Sequence, residues 1–245
     1  MKKEFNSAEA KRDMILWVRE WFAKKAEGRK AVVGMSGGRD SAIAAAMLVE
    51  ALGKDNVIGV ILPYKYADTI EDIVKIAELL DIEFHVIYIR RVWNELESEI
   101  RDEVGPLSDG TKAYLHERIR MTALAGIVSN KKGIFVNTSN LSEDWLGYYT
   151  RYGDISPFLE LTITEVKAIG KELGLADEYI DPLPVDGLWG LIDESQLGFS
   201  YKTMDDYIRH GIHPDPEIKE RIDTLNENSE LKREEVSTFH YEFEE

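Results

Sequence analysis

No cysteine occurs anywhere in the 245 residues, so the chain can form no disulfide, no cysteine zinc site and no catalytic thiol. Apolar runs are short. None approaches the roughly 18–20 residues that a membrane-spanning helix needs, and Met1-Lys2-Lys3-Glu4 lacks a signal-peptide pattern. A cytosolic protein without a membrane partner is the expectation. Positive charge is also in deficit: 30 Lys and Arg stand against 46 Asp and Glu, a formal charge of −16. Such a balance favours solubility and disfavours broad binding to nucleic acid or acidic lipid, so no nucleic-acid partner is expected either. The length suits one α/β domain with a sizeable core and a helical extension.

The most informative stretch is Gly34-Met35-Ser36-Gly37-Gly38-Arg39-Asp40-Ser41. Arg29 to Val33 precedes it with β-branched residues that read as a buried strand. Ala42 to Leu52 follows, rich in helix formers and closed by Gly53 as a C-cap. Strand, glycine loop and helix start together make a phosphate site, because glycines let backbone approach closely and the first helical N–H groups lack partners. Ser36 and Ser41 add hydroxyls, and Asp40 places a carboxylate where magnesium can bridge to phosphate. The loop lacks the Gly-Lys-Ser/Thr ending of a Walker A motif.

Along the chain, Asn6-Ser7-Ala8-Glu9 resembles a capping box ahead of a helix with Met14, Ile15, Trp17, Val18, Trp21 and Phe22 at helical spacing. That stripe reads as core or as a dimer contact. Further strands are expected at Asn56–Leu62, Phe84–Ile89 and Gly133–Asn137. Helices are expected from about Asp68 to Leu80, Val92 to Val104 and Thr111 to Ser129. This βαβαβ alternation predicts a doubly wound, mostly parallel α/β sheet with helices on both faces and ligands beyond the C-terminal strand ends. Residues 1–210 are expected to form the α/β domain. Residues 211–245 read as a charged helix and arm of the same domain, loosely attached beyond Pro214.

Later segments add chemistry. Arg118 and Arg120 lie two apart on the long helix and so face different ways, one available to a ligand and the other to a surface pair. Asn137 to Glu143 offers hydroxyls and a carboxylate after a strand, and reads equally as a helix cap. Gly147 to Asp154 is an aromatic, glycine-punctuated loop suited to a lid or to a packed surface.

Ser36-Gly37-Gly38-Arg39-Asp40-Ser41 resembles the Ser-Gly-Gly-x-Asp-Ser loop of the ATP pyrophosphatases, which cleave ATP between the α and β phosphates and adenylate an oxygen. Within that superfamily, Glu117-Arg118-Ile119-Arg120-Met121, Asn137-Thr138 to Glu143, Gly147 to Asp154, Gly187-Leu188-Trp189 and Asp193 to Tyr201 are most similar, in order and spacing, to the ammonia-dependent NAD synthetases. The absence of cysteine agrees: a built-in cysteine glutaminase is excluded. The resemblance implies ATP as co-substrate cradled by Gly34, Met35, Ser36, Gly37, Gly38, Arg39, Asp40 and Ser41, with Thr138 on the nucleotide. Asp40 and Glu143 would hold Mg2+. Arg118, Arg151, Asp154 and Lys232 would meet the acyl substrate, and Ser36, Asp40 and Arg151 would take part in catalysis. Deamido-NAD, ammonia and a second copy of the chain, as a homodimer, are the implied partners.

Four positions and the length of the lid depart from the family pattern. Ile163 stands where the family has a lysine after the lid, Val185 where it has serine or threonine, Tyr114 where the long helix has asparagine, and Leu231 where the last motif has histidine; the lid itself is short. Arg39, at a loop position usually uncharged in the family, and Lys167, one helical turn beyond Ile163, are candidates to restore the missing charge.

Overall fold

A computed structural model of the protein describes residues 4–64, 70–149, 152–181, 194–234 and 238–239. Its elements run α1 (Ser7–Lys25), β1 (Ala31–Gly34), α2 (Arg39–Leu52), β2 (Val57–Ile61), α3 (Ile70–Leu79), β3 (Glu83–Val86), α4 (Arg90–Val104), α5 (Asp109–Lys131) and β4 (Ile134–Val136). Then follow α6 (Leu141–Leu146), α7 (Ile163–Glu172), α8 (Asp177–Ile180), α9 (Glu194–Leu197), α10 (Tyr201–His210), α11 (Pro216–Asn228) and α12 (Glu230–Arg233).

The four strands are parallel in the order β3-β2-β1-β4. Alternation along each strand divides the core into two layers. Ala31, Val33, Val57, Ile61, Ile134 and Val136 pack towards α1, α2, α3 and α7. Val32, Ile58, Val60 and Phe135 face Ile119 and Leu124 of α5. With both faces covered, β1, β2 and β4 are apolar and buried, while the edge strand β3 carries Glu83 and His85 and is only partly buried. In the N-terminal helix Met14, Ile15, Val18 and Phe22 are buried, so this face of the stripe is core. Asn6 caps it by accepting from the Glu9 N–H at 2.9 Å.

Two local readings change. Strand β3 stops at Val86, short of Ile89, because Ile89 turns into the helical region and caps α4. The C-terminal helix is not loose. Ile222 of α11 is fully buried with Leu146, Phe199 and Met204 in a third apolar cluster. Arg233 donates to the carbonyls of Asp144, Trp145 and Asn226, and Lys232 Nζ donates to Gly147 O at 2.9 Å. These cations neutralise the C-terminal end of α6, the favoured place for positive charge on a helix.

Glu83, opening β3, binds Lys131 Nζ at 2.6 Å and Lys30 Nζ at 3.1 Å. These two hydrogen-bonded ammonium groups pull its carboxyl down from 4.5 to about 2. A depressed folded pKa stabilises fully above 4.5 and is lost as pH falls from there towards 2. Glu83→Gln should therefore lower stability at pH 7 by about 0.5–1 kcal/mol, given the exposure of the pair. Urea midpoints of both proteins between pH 7 and 3 test this. A gap that did not narrow with acid would exclude the ion pairs as its source.

Candidate active site

All four strands end on one edge of the sheet, and the strand order reverses between β1 and β4. The loop after β1 and the turn Asn137-Thr138 after β4 therefore border the crevice in which doubly wound sheets bind ligands.

The loop is organised by its two serines. Ser41 Oγ accepts from the Ser36 N–H at 3.1 Å and donates to Gly38 O at 2.9 Å, while Ser36 Oγ accepts from the Gly38 N–H at 3.1 Å. Gly37 takes φ +83°, a left-handed conformation closed to most residues, and a Cβ there would also lie 3.0 Å from Ile73. Gly38 is the N-cap of α2 and brings no side chain to its N–H groups, which leaves them for an anion. The N-terminus of α7 is built the opposite way. Ser142 Oγ accepts from the Ile163 N–H, Asp205 from the Thr164 N–H, and Thr162 Oγ1 from the Glu165 N–H, so its donors are already used.

Asp40, in the first turn of α2, meets Glu143 from α6. Burial raises the Asp40 carboxyl to about 6 against the pull of Arg39, and the Asn140 amide and Lys167 also hold it down. Burial, then the neighbouring Asp40 charge, pushes Glu143 well above the ordinary carboxylate range. Asp40 Oδ1 is buried without a hydrogen-bond partner. Two carboxylates that disfavour each other's ionisation, one with a vacant oxygen, fit a divalent cation. Among the described residues no set of three or more acidic or histidine side chains forms a metal cage. Asn140 sets the geometry: it caps α6 by accepting from the Glu143 N–H at 3.0 Å, and Glu143 returns to the Asn140 N–H at 3.4 Å. The cap and the acidic site are thus one structure.

Other residues fall as follows. Arg118 lies 4.6 Å from the Tyr114 ring, and its Nε is buried without a hydrogen-bond partner. Arg120 is not a surface pair: it is 5% exposed, donates to Leu62 O at 3.2 Å, and burial lowers its pKa to about 10. Lys232 reaches Gly147 O while lying near Glu117, whose carboxyl is raised by burial and lowered by Arg118, then Lys232. Asp154 closes the open edge of β4, accepting from the Phe135 N–H at 2.8 Å. Ile163 is buried. Arg39 and Lys167 both meet Asp181, at 3.9 Å and 2.5 Å. Arg151, Val185, the Gly187-Leu188-Trp189 segment and Asp193 lie outside the described residues.

Tyr201 is a site residue that the sequence does not single out within the Asp193 to Tyr201 stretch. It is the first residue of α10, and burial followed by the nearness of Glu143 pushes its phenol up. Asp205 carries no signal of its own, being an ordinary polar residue until the fold closes, whereas Asn140 was legible as the helix cap that the Asn137 to Glu143 stretch suggested.

A glycine-serine loop between a parallel strand and helix, its Asp40 opposed across the switch point by the buried Glu143, makes a phosphate-binding crevice of the class that the resemblance to the ATP pyrophosphatases implies. Comparison with known proteins narrows the class. The family model described as NAD synthase matches residues 11–240. An NH(3)-dependent NAD(+) synthetase from Pyrococcus furiosus is 32% identical over 86% of this chain and 88% of its own length. One from Methanococcoides burtonii is 39% identical over 79% of this chain and 76% of its own length. The solved NMN synthetase from Francisella tularensis superimposes with a TM-score of 0.86 at 26% identity, covering 97% of this chain and all of the other. The chain belongs to the NAD synthase family.

Proposed function

We propose that the protein is an ATP-dependent amide ligase that converts deamido-NAD and ammonia to NAD, AMP and pyrophosphate. The observation that carries the reading is Glu143 set against Asp40 of a phosphate loop whose helix N–H groups are uncapped. Gly34 to Ser41 hold the triphosphate, and Thr138 contacts the nucleotide from the opposite strand end. Asp40 and Glu143 hold magnesium, which when bound neutralises charge on the phosphates.

The pyridine carboxylate oxygen attacks the α-phosphorus, and the bond to the bridging oxygen breaks, releasing pyrophosphate. Ammonia then attacks the acyl carbon, AMP leaves with the bonding electrons, and the nitrogen loses a proton. Donors at the start of α2 are fixed before the reaction, so charge developing on phosphate meets an oriented site. Arg118, with its vacant Nε, suits the anionic part of the acyl substrate; Arg151, Asp154 and Lys232 are the further residues that the family resemblance offers to it.

A cytosolic homodimer is part of this reading. Helix α4 supports the dimer better than α1 does. Its apolar residues Val92, Leu96 and Val104 are exposed and none of its residues is buried, as for a helix that packs on another chain.

A second reading keeps the reaction but shortens the acyl substrate to a mononucleotide. It is favoured by Tyr114, 52% exposed and stacked with Arg118 where the family has a smaller asparagine, and by the likeness to the Francisella protein.

Incubation with Mg-ATP, ammonium and deamido-NAD, or nicotinic acid mononucleotide, followed by mass spectrometry separates the two. NAD and AMP in equal amounts is the expected result. Amide from the mononucleotide alone would transfer the assignment to the second reading, and no amide from either would refute both.

A further inference from the structure

We infer that Arg39 and Lys167 are the side-chain cations that receive the phosphates of ATP, and that Asp181 occupies them in its absence as an internal competitor. The inference rests on ATP being the nucleotide bound. Three helices bring these residues together. Arg39 is the first residue of α2, beside its uncapped N–H groups. Lys167 lies one turn into α7, and Asp181 ends α8.

Their register is fixed by apolar packing and not by the ion pairs. Ile180, next to Asp181, is fully buried. Gly170 lets α7 close on α2, since a Cβ there would lie 2.8 Å from Ile43 and 3.4 Å from Ile180. The charges are therefore delivered to the mouth of the loop whatever they find there.

The single carboxylate of Asp181 serves two cations. Its side chain is 55% exposed, while those of Arg39 and Lys167 are 23% and 30% exposed. An exposed anion holding two half-sheltered cations is weakly retained, because exposed ion pairs contribute little. A triphosphate offers more charge and several acceptor oxygens. Arg39 can take a forked contact to phosphate, Lys167 a point contact, and Asp181 is released to water. With the N-terminus of α7 already satisfied by Ser142, Asp205 and Thr162, α7 contributes through Lys167 and not through its backbone.

The signs of the predicted effects are opposite, which makes the test sharp. Arg39→Ala and Lys167→Ala should each weaken Mg-ATP about tenfold, the loss expected for a charge-assisted hydrogen bond to phosphate. Asp181→Asn should tighten Mg-ATP several-fold. Dissociation constants are measured by calorimetry with Mg-ATP and with magnesium pyrophosphate, and the Michaelis constant of the acyl substrate is measured in parallel. Lys54→Ala, an exposed lysine paired with Asp81, controls for the loss of one positive charge.

Weaker ATP binding in the first two variants, tighter binding in Asp181→Asn, and an unchanged acyl-substrate constant would support the inference. Binding within twofold of the parent in Arg39→Ala and Lys167→Ala, or weaker ATP binding in Asp181→Asn, would overturn it. Binding is read directly, so wild-type protein that binds ATP but forms no amide would refute the proposed function and leave this inference standing. Product formation with unaltered binding in the variants would do the reverse.

Discussion

Asp40→Asn should abolish turnover while making the ligand-free protein more stable. The activity loss is expected at roughly a hundred- to a thousand-fold, the scale for removing one group that stabilises charge in the transition state. The gain in stability follows from burial. Asp40 faces Glu143, has an oxygen without a partner, and is raised from 3.8 to about 6 chiefly by desolvation. A carboxyl with a raised folded pKa costs nothing while both states are protonated. As pH climbs from 3.8 to about 6 the fold must ionise a group it solvates poorly, and stability falls; above that the cost is constant. Asparagine removes the cost. Its advantage should be on the order of 1–2 kcal/mol at pH 7.5 and vanish near pH 4. Thermal melts of both proteins across that range, without nucleotide, provide the measurement. If Asp40→Asn were the less stable protein at neutral pH, the two carboxylates would not be poised against each other.

Asp205→Ala should be the most damaging single change away from the loop. Asp205 is almost fully buried, accepts from Ser142 Oγ at 2.6 Å and from the Thr164 N–H at 2.9 Å, and so ties α10 to α6 and α7. Alanine leaves a buried N–H and a buried hydroxyl proton without acceptors, at about 2–4 kcal/mol. Ser142 immediately precedes Glu143, so loosening it should also shift the acidic pair. Asp205→Asn, which keeps one acceptor, should lose less of both properties. Urea unfolding reports the stability, and the magnesium concentration that half-activates the enzyme reports Glu143. A fall in stability with unchanged magnesium dependence would limit Asp205 to a purely structural part.

The two variants differ in how visible their residues were beforehand. Asp40 sits in a glycine-serine loop between a β-branched run and a helix-forming run, so its chemistry was readable from neighbours within ten residues. The same holds for β1, β2 and β4, whose apolar continuity demands cover on both faces, and for Asn6, which caps the first helix from adjacent sequence. Asp205 offers no such sign. It differs from Asp206 beside it only in being turned inward, and Asp206 pairs with exposed Lys202 instead.

Backbone conformation is set largely by local sterics and hydrogen bonding, and the loop, the caps and the parallel α/β plan were therefore present in the order of residues. Which side chains meet across long stretches of chain is set by how the helices close on the sheet. Arg120 is indistinguishable in sequence from Arg118 until α5 lies on β2 and buries one of them against Leu62. The meeting of Arg39, Lys167 and Asp181 depends on Gly170 and Ile180 seating α7 and α8 on α2. The acidic pair likewise exists only because β4 lies beside β1 and delivers α6 to the phosphate loop. Local rules along the chain determined the kind of chemistry; packing chose the partners, because a charge has no preferred neighbour until burial removes the water that would otherwise serve it.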